Sequence, residues 1–211
     1  MPDTIVSASI LNSDLSDLRA TARRVAGSGA EWLHFDVMDG EFVENITFGS
    51  SVLRAVRPYT DAFLDVHLMV MHPQRQIALF ADAGAGNITF HIESDCDPAE
   101  VIQEIHERGL KAGISVKPKT PVSEIMPYLG MADMALVMTV EPGYGGQGFI
   151  MDTLPKIREL RKAAPELHIE VDGGINPDTA KLVREAGANV LVAGTYLFRA
   201  EDMRAAAELL R

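Results

Sequence analysis

The chain alternates short apolar runs with longer segments of helical periodicity. The apolar runs are rich in β-branched and aromatic residues and show no polar alternation, which is typical of strands that are buried on both faces of a parallel sheet. Eight runs are predicted as strands: residues 5–11, 32–38, 63–70, 87–92, 111–116, 134–140, 168–171 and 189–193. Because helices alternate with these strands, the order of elements predicts an α/β fold with a parallel sheet.

The segments between the runs carry helix-boundary signals. The clearest are residues 14–29, 73–86, 98–110 and 176–188, which begin with Asp, Pro or Asn and close with the Gly phrases GSGA, AGAG, ERGL and EAGA. Eight strand–helix units without a low-complexity linker predict a single (β/α)8 TIM barrel domain over residues 1–211. The rival is a doubly wound open sheet, which would need a glycine phosphate loop after the first strand, where SILNSDLSDL has none.

The amino-acid composition limits the possible binding partners and the cellular location of the protein. A net charge of −11 without a basic cluster argues against nucleic acid or an anionic membrane as a partner. No apolar run approaches the roughly 18 residues of a membrane span, and MPDTIVSASIL lacks the features of a signal peptide. Cys96 is the single cysteine, so an internal disulfide is impossible and a cytoplasmic location is expected.

Polar side chains stand near the ends of three predicted strands. In a TIM barrel the site lies at the carboxyl ends of the strands. His34 and Asp36 are two apart on strand 2 and therefore point the same way, His67 lies on strand 3, and Asp172 ends strand 7 in EVDGG. Two imidazoles and two carboxylates suit a divalent metal such as zinc or iron. The sequence therefore predicts one metal ion per chain, held by these four residues.

Glycine clusters follow three neighbouring strands. They are TVEPGYGGQGF after strand 6, DGGIN after strand 7 and VAGTYLF after strand 8. Glycines let backbone N–H groups approach an anion, and loops after strands 7 and 8 often bind phosphate in this fold. No Lys or Arg occurs in these loops before Arg199, so a phosphate would be held mainly by backbone donors. The alternative is that the glycines only make tight turns.

Other polar and sulfur-containing side chains leave two interpretations open. Ser9 either hydrogen-bonds a substrate hydroxyl or caps backbone. His91 is interpreted either as a residue beside the metal ligands or as a structural one, and Asp65 as a buried, hydrogen-bonded acid. Three methionines near the ends of strands 2, 3 and 6 either fill the core or form an apolar collar around the metal: Met38, Met69 and Met138.

At these residues the chain resembles the ribulose-phosphate 3-epimerase family over essentially its whole length. The shared motifs include HFDVMDGEFVENITFG, DVHLMV, ITFHIE, VEPGYGGQGF, VDGGIN and GANVLVAGTYLF. The resemblance implies metal binding at the four residues above, an acid–base pair at Asp36 and Asp172, and a methionine collar. It implies substrate contacts at Ser9, His67, Gly143, Tyr144, Gly145, Gly146, Gly173, Gly174, Gly194 and Thr195.

The resemblance also implies the reaction, which is interconversion of D-ribulose 5-phosphate and D-xylulose 5-phosphate in the pentose phosphate pathway. It implies one divalent ion per chain, zinc or iron before cobalt or manganese, and a homo-oligomer between dimer and hexamer. The chain departs from the family pattern at Ala8 and Glu44, where proline is usual, at Gly148, and at Thr195–Tyr196.

The chemistry of epimerisation explains the two carboxylates independently. Inverting C3 requires proton transfer on both faces, and strands 2 and 7 are three apart around an eight-stranded ring. A metal ion would stabilise the resulting 2,3-enediolate. Three alternatives remain: a 3-epimerase of another ketose phosphate such as D-allulose 6-phosphate, a metal-free phosphate-binding barrel enzyme, and a non-catalytic sugar-phosphate binder.

Overall fold

Eight parallel strands close into one barrel in the computed structural model, which describes residues 2–211. The strands pair in sequence order, and β8 closes the ring against β1. They are β1 Ile5–Ser9, β2 Trp32–Met38, β3 Phe63–Met69, β4 Asn87–His91, β5 Lys111–Val116, β6 Met134–Met138, β7 His168–Asp172 and β8 Val190–Ala193. The predicted (β/α)8 TIM barrel is therefore confirmed.

Helices connect the strands on the outside of the barrel. The α-helices are α1 Leu18–Ala26, α2 Ser50–Val56, α3 Ile77–Asp82, α4 Pro98–Glu107, α5 Leu154–Ala163, α6 Pro177–Ala186, α7 Thr195–Arg199 and α8 Met203–Glu208. Short 3-10 turns cover Ile10–Asn12, Leu15–Asp17, Arg57–Tyr59, Pro73–Arg75, Val122–Glu124, Met126–Tyr128 and Met151–Thr153. Within residues 2–211, no helix combines the length and the apolarity that a membrane span requires.

The helices are not distributed one to each strand, as eight regular units would require. Between β5 and β6 the chain forms only the turns Val122–Glu124 and Met126–Tyr128, whereas both α7 and α8 follow β8. Pro127 accounts for the first difference, because a proline inside a helix lacks the N–H donor and its ring clashes with the preceding turn.

Helix caps predicted from the sequence are present in the structure. Asn176 caps α6 in a capping box with Thr179, and Asp97 accepts backbone N–H bonds at the start of α4. Each of the four Gly phrases contains one glycine with a positive φ: Gly29, Gly84, Gly109 and Gly187. These glycines turn the chain from a helix into the next strand, because L-residues rarely adopt that conformation.

Alternation along the strands separates an apolar outer face from a polar interior. In β2, Leu33, Phe35 and Val37 belong to the main core between the barrel and the helices, together with helix residues such as Ala22 and Val25. The alternate β2 residues His34 and Asp36 face the barrel interior instead. The parallel register then sets Asp36 opposite His67 on β3 and Met138 on β6 opposite Asp172 on β7.

Candidate active site

The four predicted metal ligands come together at the carboxyl ends of β2, β3 and β7. One ligand atom from each of His34, Asp36, His67 and Asp172 lies within 4.8 Å of the other three. Asp36 Oδ1 lies 3.3 Å from both His34 Nε2 and His67 Nδ1. Asp172 Oδ2 lies 4.0 Å from His34 Nε2 and 3.7 Å from His67 Nδ1. The four atoms therefore surround one point.

His34 presents a buried nitrogen to that point. Its Nδ1 lies 2.7 Å from Asp65 Oδ2, and Asp65 also accepts hydrogen bonds from Ser7 and Asn87. The other ring nitrogen, Nε2, is buried and has no aligned hydrogen-bond partner within residues 2–211. A buried polar atom without a partner is costly. A divalent ion between the four side chains would satisfy this atom, and the imidazole–carboxylate donor set fits zinc or iron.

His67 is held by a different group. Its Nδ1 faces the two aspartates, and its Nε2 lies 2.8 Å from His91 Nε2. His91 Nδ1 in turn lies 3.1 Å from Glu93 Oε2. Of the two interpretations of His91, the structure favours a place beside the four residues, and Asp65 is a fully buried, hydrogen-bonded acid as the sequence predicts.

The two aspartates differ in proton affinity. Burial disfavours the charge on Asp36, but the positive charge of His34 and the close contact with both imidazoles hold its pKa far below its usual range. Burial raises the pKa of Asp172 to about 7, and the Asp36 carboxylate acts in the same direction. His34 loses hydration on burial, yet Asp36 and Asp65 outweigh this and raise its pKa. The pair thus contains one carboxylate that stays ionised and one that holds a proton near neutral pH.

A cavity of about 660 Å³ opens above this cluster. Its volume lies within the roughly 300–1,000 Å³ of small-molecule sites. Asp36 and Asp172 line it, whereas His34 and His67 are fully buried and do not. The other predicted site residues that line it are Ser9, Met38, Met69, Met138, Gly143, Tyr144, Gly145, Gly146, Gly173, Gly174, Gly194 and Thr195.

The methionines fill the core and also line the cavity, and Ser9 caps backbone. Met38, Met69 and Met138 are buried and also line the cavity, so they form core and cavity wall together. Met38 and Met69 share one apolar cluster, and Met138 packs in another with Leu136 and Val140. Ser9 Oγ accepts the backbone N–H of Leu11 at 3.3 Å and donates to Asp36 Oδ2 at 2.6 Å.

The glycine loops approach one another closely at one side of the cavity. Gly143, Gly146, Gly173 and Gly174 have φ of 128°, 77°, 118° and 68°. A Cβ on Gly174 would lie 2.7 Å from the backbone nitrogen of Phe149, so the loops after β6 and β7 touch through backbone. Glycine is therefore required there both for conformation and for space.

Two residues near the site were not predicted from sequence. The Asn12 amide lines the cavity and occupies the space where a Cβ on Gly145 would lie, 2.1 Å from Asn12 Nδ2. Glu93 follows His91 by two residues, the same spacing that drew attention to His34 and Asp36, and that spacing was the available signal.

Arg199 is the only basic side chain among the residues that line the cavity.

Comparison with known proteins identifies the family. A model described as the Ribulose-phosphate 3 epimerase family matches residues 5–198. The ribulose-phosphate 3-epimerase of Candida glabrata is 46% identical over 221 residues, covering 96% of this chain and 89% of that protein. The ribulose-phosphate 3-epimerase of Bacillus subtilis is 47% identical over 211 residues, covering 98% of this chain and 97% of that protein.

Structural comparison supports the fold at greater distance. A 3-keto-L-gulonate-6-phosphate decarboxylase from Vibrio cholerae superposes with a TM-score of 0.75 at 18% identity, covering 100% of this chain and 96% of that one. At this identity the likeness concerns the barrel alone. The sequence relatives decide the family and confirm the predicted epimerase, an isomerase. The chain belongs to the ribulose-phosphate 3-epimerase family.

Proposed function

We propose that this protein is a metal-dependent epimerase that interconverts D-ribulose 5-phosphate and D-xylulose 5-phosphate. The observation that carries the proposal is the pair of cavity-lining aspartates with opposite pKa shifts, above two buried histidines. Family membership supports the reaction. The geometry supports a site in which His34, Asp36, His67 and Asp172 hold one divalent ion. When bound, the ion supplies positive charge that stabilises negative charge developing on the substrate oxygens.

Proton transfer is assigned to the two aspartates. Asp36, the ionised carboxylate, takes the C3 proton from one face, and the C–H bonding electrons form a 2,3-enediolate. Asp172 carries a proton in the substrate complex and delivers it to the opposite face of C3. After one turnover the protonation states are exchanged, so the reverse reaction starts from the complementary state. In the metal-free chain the pKa of Asp172 is about 7, so this carboxyl can both gain and lose a proton near neutral pH.

Other parts of the cavity would orient the substrate and exclude water. We assign the phosphate to backbone N–H groups of the loops after β6, β7 and β8, where the glycines lie. Ser9, which lines the cavity and already contacts Asp36, is assigned to the sugar. His67 was expected to contact the sugar as well, but it is fully buried and does not line the cavity, so we assign it to the ion alone. The buried methionines Met38, Met69 and Met138 would keep water away from the reacting carbon and strengthen the electrostatic interactions there.

The ion, the assembly and the location complete the proposal. Zinc or iron suits the donor set best, with cobalt or manganese as further candidates. A homo-oligomer between dimer and hexamer follows from the family resemblance and is checked by light scattering. A cytoplasmic location follows from the single cysteine, and one rice relative is named a cytoplasmic isoform.

A substrate panel tests the proposal. Metal-replete enzyme is assayed with D-ribulose 5-phosphate, D-allulose 6-phosphate and unphosphorylated D-ribulose, and chelator-treated enzyme serves as the control. We expect the highest kcat/KM with D-ribulose 5-phosphate, and recovery of the chelated enzyme by zinc or iron. A preference for D-allulose 6-phosphate would favour the alternative epimerase. Binding without turnover would indicate a non-catalytic sugar-phosphate-binding barrel. Full activity after chelation would show that the reaction does not need a metal ion.

A further inference from the structure

A line of three hydrogen-bonding side chains leads from the barrel centre to the end of β4. His67 Nε2 lies 2.8 Å from His91 Nε2, and His91 Nδ1 lies 3.1 Å from Glu93 Oε2. Both histidines are fully buried, and the Glu93 side chain is 20% exposed. Glu93 is itself fixed, because its Oε1 accepts the backbone N–H of Lys117 at 2.8 Å. The line therefore connects a predicted metal ligand to an anchored carboxylate.

With an ion bound, hydrogen-bond chemistry allows one proton arrangement along this line. In the metal-free chain His67 Nδ1 lies 3.3 Å from Asp36 Oδ1, so Asp36 and Glu93 compete for the protons of the line. An ion between the four ligands takes the lone pair of His67 Nδ1, so His67 must carry its proton on Nε2 and donate it to His91 Nε2. His91 then carries its own proton on Nδ1, where Glu93 accepts it.

We propose that Glu93 is a positioning residue that sets the tautomer of His67 through His91 and so aims His67 Nδ1 at the metal. The inference rests on the metal site of the proposed function. His34 offers an internal comparison, because Asp65 contacts its Nδ1 directly at 2.7 Å and leaves Nε2 for the ion. The two histidines thus present different ring nitrogens, and only His67 depends on a second imidazole.

The aromatic and cationic groups near His91 do not replace Glu93. The Phe42 ring centroid lies 4.8 Å from that of His91, and the Lys117 ammonium lies 3.7 Å from the Phe42 ring centroid. Neither group accepts a conventional hydrogen bond from His91 Nδ1. Loss of the carboxylate would therefore release His91 to adopt either tautomer, and only one of them accepts the proton of His67 Nε2.

Nitrogen-resolved NMR of the Zn²⁺-loaded protein tests the inference without turnover. In the unaltered chain at pH 7 we expect His67 protonated at Nε2 and His91 protonated at Nδ1. In Glu93→Gln, whose side-chain amide offers a donor to His91 Nδ1, we expect mixed tautomers at His91. Glu93→Asp keeps the carboxylate and should restore the original pattern. Glu124→Gln, an exposed change on another connection, is the matched control.

Metal titration gives the second measurement. Glu93→Gln should weaken Zn²⁺ affinity by about 10- to 100-fold, and Glu93→Asp should weaken it less. The inference is overturned if the Zn²⁺-loaded unaltered chain carries the His91 proton on Nε2. It is also overturned if Glu93→Gln loses affinity with its tautomers unchanged, since that would be a purely structural effect. A wild-type chain that binds Zn²⁺ with the expected tautomers but epimerises no ketose phosphate would contradict the proposed function and leave this inference standing.

Discussion

At the scale of single residues, Asp36 and Asp172 show how the same side chain acquires different chemistry. Asp36 accepts a hydrogen bond from Ser9 Oγ and lies 3.3 Å from one nitrogen of each histidine. Asp172 lies 3.7 Å and 4.0 Å from those nitrogens, beyond normal hydrogen-bond reach, and shares the site with an ionised neighbour. The first therefore loses its proton easily and the second retains it.

Metal binding should release protons. In the metal-free chain Asp172 titrates near pH 7 and the pKa of His34 is raised, so both groups must lose protons before they bind an ion. Zn²⁺ affinity should therefore fall as the pH is lowered from 8 to 6. Calorimetry in buffers of different ionisation enthalpy measures the released protons. At pH 6, Asp172→Asn should release about one proton fewer on Zn²⁺ binding than the unaltered chain. Equal proton release would contradict the assignment of Asp172 as a protonated group of the metal-free site.

Asparagine substitutions at the two aspartates should separate exchange from epimerisation. Asp172→Asn keeps the shape but removes the titratable oxygen, and epimerisation should fall by about 10²–10⁴-fold or more. Asp36 can still remove and return a proton on its own face. In heavy water, metal-loaded Asp172→Asn should thus exchange the C3 hydrogen of one epimer faster than it forms the other.

The mirror variant provides the control for that experiment. Asp36→Asn should favour exchange of the opposite epimer. Metal content is measured in both variants, because each change also removes an anionic ligand. If both metal-loaded variants exchange the same epimer, or exchange only in step with epimerisation, a single base would replace the two-base assignment.

At the scale of elements, the loops after β6 and β7 depend on glycines for their mutual contact. Gly174 has φ +68°, and its Cα faces the backbone of Phe149 so closely that a Cβ would lie 2.7 Å from the nitrogen. Gly148, in the same loop region, has no atom within 4 Å of a built Cβ. The two positions therefore differ in what a methyl group would do, although both are glycines that line the cavity.

Gly174→Ala should damage both stability and anion binding. The left-handed conformation alone costs an L-residue about 1–2 kcal/mol, and the backbone overlap adds to that cost. We expect the free energy of unfolding in denaturant to fall by at least about 1 kcal/mol and competitive inhibition by inorganic phosphate to weaken. Gly148→Ala is the control and should change both little. Equal effects in the two variants would show that backbone contact between the loops is unimportant.

At the scale of the whole molecule, the four ligand side chains join strands that are distant in sequence. β2, β3 and β7 each contribute to the cluster, so an ion bound there would connect the first third of the chain to its last third. The net charge of −11 gives no general attraction for a phosphate ester. Local groups, namely the ion and the backbone donors, must therefore provide the affinity.

Metal binding should stabilise the whole fold. An ion that binds only the native chain adds about 2.7 kcal/mol at a free concentration 100 times its Kd, which corresponds to a rise in Tm of roughly 5–10 °C for a chain of this size. Differential scanning calorimetry of the chelated and Zn²⁺-loaded protein measures the shift. His67→Ala should bind the ion weakly and should show a much smaller rise in Tm on addition of Zn²⁺. An unchanged Tm in the unaltered chain at saturating Zn²⁺ would argue against a site in the folded barrel.

Sequence by itself determined the elements of this protein and the residue types at the barrel mouth. Apolar periodicity, helix caps and Gly phrases are local signals, so they predicted the strands, the barrel and the position of His34, Asp36, His67 and Asp172 at strand ends. Pro127 was a local signal as well, and it explains why the connection from β5 to β6 contains turns instead of a helix.

Only the tertiary structure decided how those residues interact. The opposite pKa shifts of Asp36 and Asp172, the line from His67 to Glu93, and the contact of Asn12 with Gly145 all join separate loops or strands. Their distances depend on the barrel register and on side-chain packing across the ring, which no local pattern encodes. Burial then turns these distances into chemistry, because charge and hydrogen bonds act strongly where water is excluded.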